Sequence, residues 1–228
     1  MGGRVRRLQE RFADPLLTTL TIMIAMLLFV VAPLQVAGAI TEHYVSFVFV
    51  AVLILAAFTL SGSRVALGAI LVAIALIVVA VALEFQRPSV VEIYLDAIAW
   101  LIAGLTLSSV VARAVFAPGK VTFHRIIGAV LLYFSIGWTF VGLFSLVALA
   151  VPDAFKGFGP SQENFIAIAG NLIHFSFVTL TTTGYGDISP VHPYARSLAS
   201  IEAIIGQLYP AILLARLVTL ELEDRRIS

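Results

Sequence analysis

Long apolar stretches recur along this chain, and they restrict it to a fold that crosses a membrane. Six of them approach or exceed the about 20 residues that a helix needs to span a bilayer. They lie at 16–36, 44–60, 65–83, 93–115, 126–151 and 194–222, and the second is marginal in length. Only 12% of the residues are charged, against roughly 25% in soluble domains. We therefore predict an all-α membrane protein with six transmembrane helices.

One further apolar segment, 163–181, precedes a loop of different character. It runs directly into the sequence TTTGYGD at 181–187, between the fifth and sixth stretches. Irregular backbone at membrane depth is tolerated only where protein buries it or where it lines a water-filled cavity. We therefore predict a re-entrant pore helix that leads into a pore-lining strand, with Ser161 as its N-cap and Glu163 in its first turn.

The two glycines of this loop suit the coordination of a cation by backbone oxygens. A ring of carbonyls can replace the hydration shell of an ion only if successive C=O groups point toward one axis. Gly184 and Gly186 can adopt positive φ without a Cβ clash, which lets consecutive peptides turn their carbonyls the same way. The sequence therefore favours an ion-binding strand at this point of the chain.

The pattern Thr-x-Gly-Tyr-Gly-Asp between two apolar helices resembles the filter loop of the potassium channel superfamily. Two more positions match the family. Arg196 lies ten residues after Gly186 and Gly206 lies twenty residues after it, where the family usually has a basic residue and a hinge glycine. The resemblance covers residues 123–222, and the preceding helices match, in number and topology, the bacterial members with six transmembrane helices and a single pore loop.

The resemblance implies a channel that conducts K+ passively, with K+ as the permeant ion and no cofactor. One filter strand supplies a quarter of a ring, so the chain is expected to form a homotetramer around one axis. The Tyr185 ring would brace the filter against the pore helix, while backbone carbonyls and the Thr182 hydroxyl would bind the ion. The implied K+-binding residues are Thr182, Thr183, Gly184, Tyr185 and Gly186, with Asp187 at the outer mouth.

The resemblance also implies residues that support the filter and residues that form the gate. Gly206 and Pro210 stand one turn apart in the last helix, so they form a candidate gating bend. A fixed kink that never moves is the alternative. The implied filter-supporting residues are Phe175, Thr179 and Glu202, and the implied gate and cavity residues are Gly206, Gln207, Pro210 and Leu214.

Several positions around the filter depart from the family pattern. Thr183 stands where many members have Val or Ile, Val178 replaces a carboxylate, and His174 and Phe175 replace a tryptophan pair. We expect Phe175 to pack on the Tyr185 ring, although it cannot donate the indole hydrogen bond. A weakly selective cation channel therefore stays open as an alternative, as does a non-conducting scaffold subunit.

Two ionisable residues lie close to the predicted filter. A carboxylate at membrane depth costs about 2.5 to 3.5 kcal/mol on insertion scales, so Glu202 should be paired, hydrogen-bonded or protonated. Our hypothesis is that Glu202 hydrogen-bonds hydroxyls or amides behind the filter and thereby tunes the filter. The alternative is a neutral carboxylic acid whose hydrogen bonds are satisfied between helices and which has no effect on the filter. His174 is either a pH sensor or a packed neutral imidazole, and we favour the packed imidazole.

The fourth stretch lacks the charges of a voltage sensor. It carries only Asp96 and Arg113, whereas steep voltage gating draws on about three or four charges in each of four subunits. We therefore predict weak or absent voltage gating. The first four helices are expected to act as a structural scaffold.

Lysine and arginine placement predicts the orientation of the helices. Arg87, Lys156 and Arg196 fall on one side of the membrane, and the other basic residues fall on the opposite side. This bias predicts a multi-pass protein with both termini in the cytoplasm. A compact channel without cysteines fits the plasma membrane, the inner membrane of a bacterial cell. A secretory signal with Ala37-Gly38-Ala39 as its cleavage site is the alternative for the first stretch.

The remaining composition narrows the classes of function. A net charge of +1 argues against nucleic acid as a partner, since phosphate binding needs a concentrated basic surface, and leaves the lipid bilayer, K+ and other copies of the chain. No motif of a hydrolase, a phosphate loop or a metal cluster supports an enzyme. The predicted organisation is a cytoplasmic segment at 1–15, a four-helix scaffold at 16–117, a pore domain at 118–222 and a cytoplasmic tail at 223–228.

Overall fold

The computed structural model describes residues 17–39, 42–59, 63–86, 90–116, 123–158 and 165–227. Most of these residues are helical. Seven helices and two short strands form the described part of the chain: α1 Leu17–Val36, α2 Glu42–Thr59, α3 Arg64–Gln86, α4 Val90–Val115, α5 Phe123–Ala150, β1 Phe155–Lys156, α6 Phe165–Leu180, β2 Ser189–Pro190 and α7 Pro193–Ile227. The predicted N-cap Ser161, Glu163 and the predicted cytoplasmic segment 1–15 lie outside the described residues.

Five of these helices are long and apolar enough to cross a membrane, namely α1, α3, α4, α5 and α7. The prediction of an all-α, multi-pass membrane protein is therefore confirmed. The apolar part of α2 is the shorter run Phe47–Ala57, so a sixth crossing stays a prediction. The apolar run of α6, Ile168–Leu180, is also too short to cross the bilayer, since a helix rises about 1.5 Å per residue.

Helices α4 and α5 pack along each other at two glycines. A Cβ atom on Gly104 would lie 2.7 Å from Thr139 Oγ1, and one on Gly142 would lie 2.9 Å from the backbone nitrogen of Leu101. Small residues at such points let two backbones approach closely. The hydroxyls of Ser108 and Thr139 lie 3.5 Å apart at the same interface. Helix α4 is thus closely packed against α5 of its own chain.

A two-stranded sheet joins the segment before α6 to the segment after the TTTGYGD loop. β1 pairs with β2 in antiparallel register, with Phe155 opposite Pro190 and Lys156 opposite Ser189. The backbone N–H groups of Val191 and His192 also donate to the Ala154 carbonyl, at 2.8 and 3.2 Å. This sheet fixes the chain just after the TTTGYGD loop to the chain that follows α5.

Candidate ion-conduction site

The loop begins with hydrogen bonds that return to the last turn of α6. The backbone N–H of Thr182 donates to the Thr179 carbonyl and that of Thr183 donates to the Val178 carbonyl, each at 2.9 Å. The Thr181 hydroxyl donates to the Phe177 carbonyl at 2.7 Å. These bonds satisfy carbonyls that a helix end leaves without partners. The predicted supporting residue Thr179 therefore contacts the loop through its backbone oxygen.

The backbone of the loop alternates in conformation. Thr182, Gly184 and Gly186 have φ values of +57°, +60° and +79°, whereas Thr183 and Tyr185 between them do not have positive φ. The positive φ that the two glycines permit is thus observed. Thr182 is the unexpected member, because a β-branched residue with positive φ is strained. Such strain is typical of functional sites, and no residue type in the sequence could have indicated it.

The whole loop is exposed within the single chain. Every residue from Thr181 to Asp187 is exposed, whereas Leu180 before it and Ile188 after it are buried. Polar, non-helical backbone cannot face lipid, because nothing there replaces its hydrogen bonds to water. The loop must therefore face water, ions or another protein surface.

Helix α7 has one face buried in the chain and another face exposed. Glu202, Gly206 and Tyr209 are buried within the chain, whereas the predicted cavity residues Gln207, Pro210 and Leu214 are exposed. The Thr182 hydroxyl donates to Gln207 Oε1 at 3.5 Å. The structure thus brings Gln207 to the start of the loop. Helix α7 continues through Pro210, and movement at this point stays a prediction.

Gly206 lies where α7 contacts the end of α6, and a sequence pattern alone does not predict this contact. A Cβ atom on it would overlap the Leu180 carbonyl oxygen, at the end of α6. The Tyr133 hydroxyl of α5 donates to the same oxygen at 3.2 Å. The Tyr133 ring stacks on Tyr209 of α7 at 5.7 Å, and the Tyr209 hydroxyl donates to the Ala129 carbonyl at 2.8 Å. Gly206 therefore lets α7 pack directly on the end of the helix that carries the loop.

Glu202 lies fully buried behind the loop, and its predicted hydrogen bond is confirmed. The Ser176 hydroxyl of α6 lies 2.5 Å from Glu202 Oε1 and 2.9 Å from the Gly137 carbonyl of α5. A hydroxyl has one hydrogen to donate, so it cannot donate to both oxygens. If Glu202 is protonated, its carboxyl group donates to the Ser176 oxygen, and the Ser176 hydroxyl donates to the Gly137 carbonyl. Both short contacts are then hydrogen bonds. Glu202 Oε2 has no hydrogen-bond partner among the described residues.

His174 and Asp187 meet at the predicted outer mouth. His174 Nε2 lies 3.0 Å from Asp187 Oδ2, and the two side chains are 44% and 56% exposed. A hydrogen bond from the backbone N–H of Ile188 lowers the pKa of Asp187, and the bond to His174 adds to this effect. Within the single chain the His174 ring is therefore partly exposed and hydrogen-bonded to Asp187, and its packing in an assembly stays a prediction.

The aromatic ring that faces Tyr185 is not the one expected. The His174 ring lies parallel to the Tyr185 ring, with centroids 6.2 Å apart. Phe175 instead packs edge to face on Phe144 of α5 and Phe155 of β1, at 5.0 and 5.4 Å. Phe175 therefore fastens α6 to α5 and the small sheet, and the prediction that it packs on Tyr185 within the chain is wrong. A helix pattern gives the spacing of side chains but not which neighbour each of them meets.

Fold and loop together define a multi-pass helical membrane protein with a short helix and an exposed polar loop between its last two spans. Residues 121–222 match the family model described as "Ion channel", which covers α5, α6, the loop and most of α7. This part of the chain is therefore similar to the transport domain of ion channels. No curated protein and no solved structure matched the chain.

Proposed function

We propose that this protein is a homotetrameric channel that conducts K+ selectively and passively through Thr182 to Gly186. The observation that carries this proposal is the alternating backbone of the exposed loop, with positive φ at three positions. Alternation turns successive peptide groups so that their carbonyls can share one side of the strand. A column of such oxygens can take the place of the water around a dehydrated K+.

Assembly follows from the exposure of the loop. In one chain all residues from Thr181 to Asp187 are exposed, and lipid cannot cover their polar groups. A closed ring of identical subunits removes this problem, because each loop then faces a shared aqueous axis. Exposed apolar residues of α7 are available for contacts between copies: Ile201, Ile204, Leu208 and Ile212.

The end of α6 supports the same proposal. The C-terminus of a helix carries a partial negative charge of about half a unit. In the proposed tetramer four such ends would surround the cavity beneath the loop, beside Gln207, and favour a cation there. Asp187 and its pair His174 would lie at the opposite end of the ion path.

A weakly selective cation channel is the second candidate, and one observation favours it. Phe175 packs on Phe144 and Phe155 and not on the Tyr185 ring, which faces His174 instead. A filter with a loosely held Tyr185 could widen and admit Na+.

Ion flux into liposomes tests the proposal. The purified full-length chain is reconstituted into vesicles that hold K+, and these are diluted into Na+ with a proton ionophore and a proton-sensitive dye. We expect K+ efflux to drive proton uptake, and we expect no uptake when the two cations are exchanged. Uptake that appears on dilution into a large impermeant cation but not into Na+ would favour the weakly selective channel, because exchange of K+ for Na+ moves no net charge. No uptake above empty vesicles in either dilution would contradict conduction by the protein.

We expect the open probability to depend only weakly on voltage. Arg113, the basic residue of α4, lies in the last turn of that helix, and α4 is held against α5 at Gly104 and Gly142. One charge that crosses the whole field gains only about 2.3 kcal/mol per 100 mV. Current recorded at a series of voltages in symmetric K+ checks this. A steep rise between closed and open plateaus would contradict it.

Replacement of Glu202 separates a hydrogen-bonding role from mere filling of space. We expect Glu202→Leu to lose the bond to Ser176, which destabilises the conducting state by about 1 kcal/mol, a roughly fivefold change in its equilibrium. Glu202→Gln should stay close to the wild type, because its amide can donate to Ser176. The fraction of current that persists in a long recording is the measurement. Equal persistence in all three proteins would show that Glu202 has no role in the filter.

A further inference from the structure

The first helix contacts the helix that carries the filter loop, although α1 belongs to the predicted scaffold. The Phe29 ring of α1 packs edge to face on Phe177 of α6, with centroids 5.0 Å apart. It also packs edge to face on Phe134 of α5 at 5.6 Å. Phe134 and Phe177 lie 6.3 Å apart. Three helices thus meet in one aromatic cluster, which consists of Phe29, Phe134 and Phe177.

A second contact lies nearer the start of α6. A Cβ atom on Gly170 would overlap Val36 Cγ2, so the Val36 side chain sits on the bare backbone of α6. Gly170 belongs to the first half of α6, and Phe177 belongs to its last turn. Helix α1 therefore holds α6 at two points about two turns apart.

Phe177 connects this contact to the filter loop. Its ring fills the space beside Gly137 of α5, where a Cβ atom would lie 2.8 Å from the ring. Its carbonyl oxygen accepts hydrogen bonds from the Thr181 N–H at 3.0 Å and from the Thr181 hydroxyl at 2.7 Å. A shift of Phe177 would therefore move the acceptor that fixes the first residue of the loop.

Phe29 is not part of the buried core to which α1 contributes. Leu20, Ile24, Leu27 and Leu28 belong to that core and are nearly inaccessible, whereas Phe29 is 48% exposed. Phe29 lies in a π-helical turn, Leu27–Val31. Turns of this kind occur mostly as single insertions in α-helices and frequently mark functional sites.

We propose that α1 is a positioning element of the filter, in which Phe29 and Val36 hold α6 against α5 and thereby fix the loop. This inference rests on the proposed conduction through Thr182 to Gly186, and it assigns to the first helix a part in ion selection. Phe29 and Val36 act through α6 and do not touch the ion path.

Removal of the Phe29 ring gives the first test. We expect Phe29→Ala to raise the permeability ratio of Na+ to K+ by about threefold to tenfold, as the loss of an aromatic pair implies. Phe29→Tyr keeps the ring and should retain the wild-type ratio. Phe47→Ala is the matched control, because it removes a ring of α2 that is 70% exposed. Gel filtration of each variant, expected to be unchanged, separates a filter effect from loss of assembly.

A steric exchange at Gly170 gives the second test. We expect Gly170→Ala to impair selectivity or conduction, because its Cβ overlaps Val36, and we expect Val36→Ala in the same chain to restore both. Gly68→Ala is the control, since no atom lies within 4 Å of a Cβ built there. Rescue by Val36→Ala is informative even if Gly170→Ala alone fails to assemble.

The outcomes separate this inference from the function on which it rests. If the wild-type protein shows no preference for K+, the proposed function fails. If the wild type prefers K+ while Phe29→Ala and Gly170→Ala behave like their controls, the positioning role of α1 is overturned and the proposed function stands. A double variant as impaired as Gly170→Ala alone would also overturn the role of Val36.

Discussion

The Gly206→Ala variant is expected to lose ion conduction. Its Cβ would overlap the Leu180 carbonyl oxygen, which belongs to the backbone and cannot rotate away as a side chain would. Excess volume in a packed interior costs about 1 to 3 kcal/mol or more, and four copies would bear this cost in the proposed tetramer. Because Leu180 immediately precedes the loop, the displacement would reach the filter directly.

Alanine should otherwise suit this position, which makes the test sharp. In a helix interior alanine is more favourable than glycine by about 1 kcal/mol, so weakening of α7 itself cannot explain a loss. Gly68→Ala in α3 is the control, because nothing lies within 4 Å of a Cβ atom built there. A Gly206→Ala channel with normal selectivity and altered opening would support a hinge and contradict a steric role. Vesicle flux and single-channel recording together distinguish the two.

The Gly184→Ala variant is expected to lose preference for K+. Gly184 has a φ of +60°, and a residue with a Cβ atom loses about 1 to 2 kcal/mol in that conformation. Four subunits would multiply this cost to about 4 to 8 kcal/mol in one filter. We therefore expect the loop to relax and the carbonyls to leave their shared direction.

Gly38→Ala provides the matched control for backbone strain. Gly38 has a φ of +72°, and nothing lies within 4 Å of a Cβ atom built on it, as for Gly184. It lies outside the filter loop, after the end of α1. The ratio of Na+ to K+ permeability should change in Gly184→Ala and not in Gly38→Ala. Equal ratios in both variants would show that the φ of Gly184 does not define the ion path.

The sequence was sufficient to predict the helices and the conformation of two glycines in the TTTGYGD loop. The limits of α1 and α3 through α7 lie close to the predicted apolar stretches, because a bilayer demands uninterrupted apolar helices. The positive φ of Gly184 and Gly186 follows from the absence of a side chain. The limits of the helices and the φ of the two glycines both depend on residues close together in the chain, so a single sequence is enough to predict them.

Contacts between helices could not be predicted in the same way. The partner of Glu202 is Ser176, a residue with no motif of its own, and the neighbour of Gly206 is the backbone of Leu180. Both depend on how α6 and α7 cross, and side-chain spacing along a helix does not specify a crossing. The same limit applies to Phe175, which helix spacing alone places near Tyr185, whereas His174 faces that ring.

The reversal potential of the reconstituted wild-type protein in a planar bilayer, with K+ on one side and Na+ on the other, tests the central claim most directly. The alternating carbonyl strand at Thr182 to Gly186 predicts a reversal potential close to the equilibrium potential of K+. A robust current that reverses near zero would contradict K+ selectivity and identify a weakly selective cation channel instead.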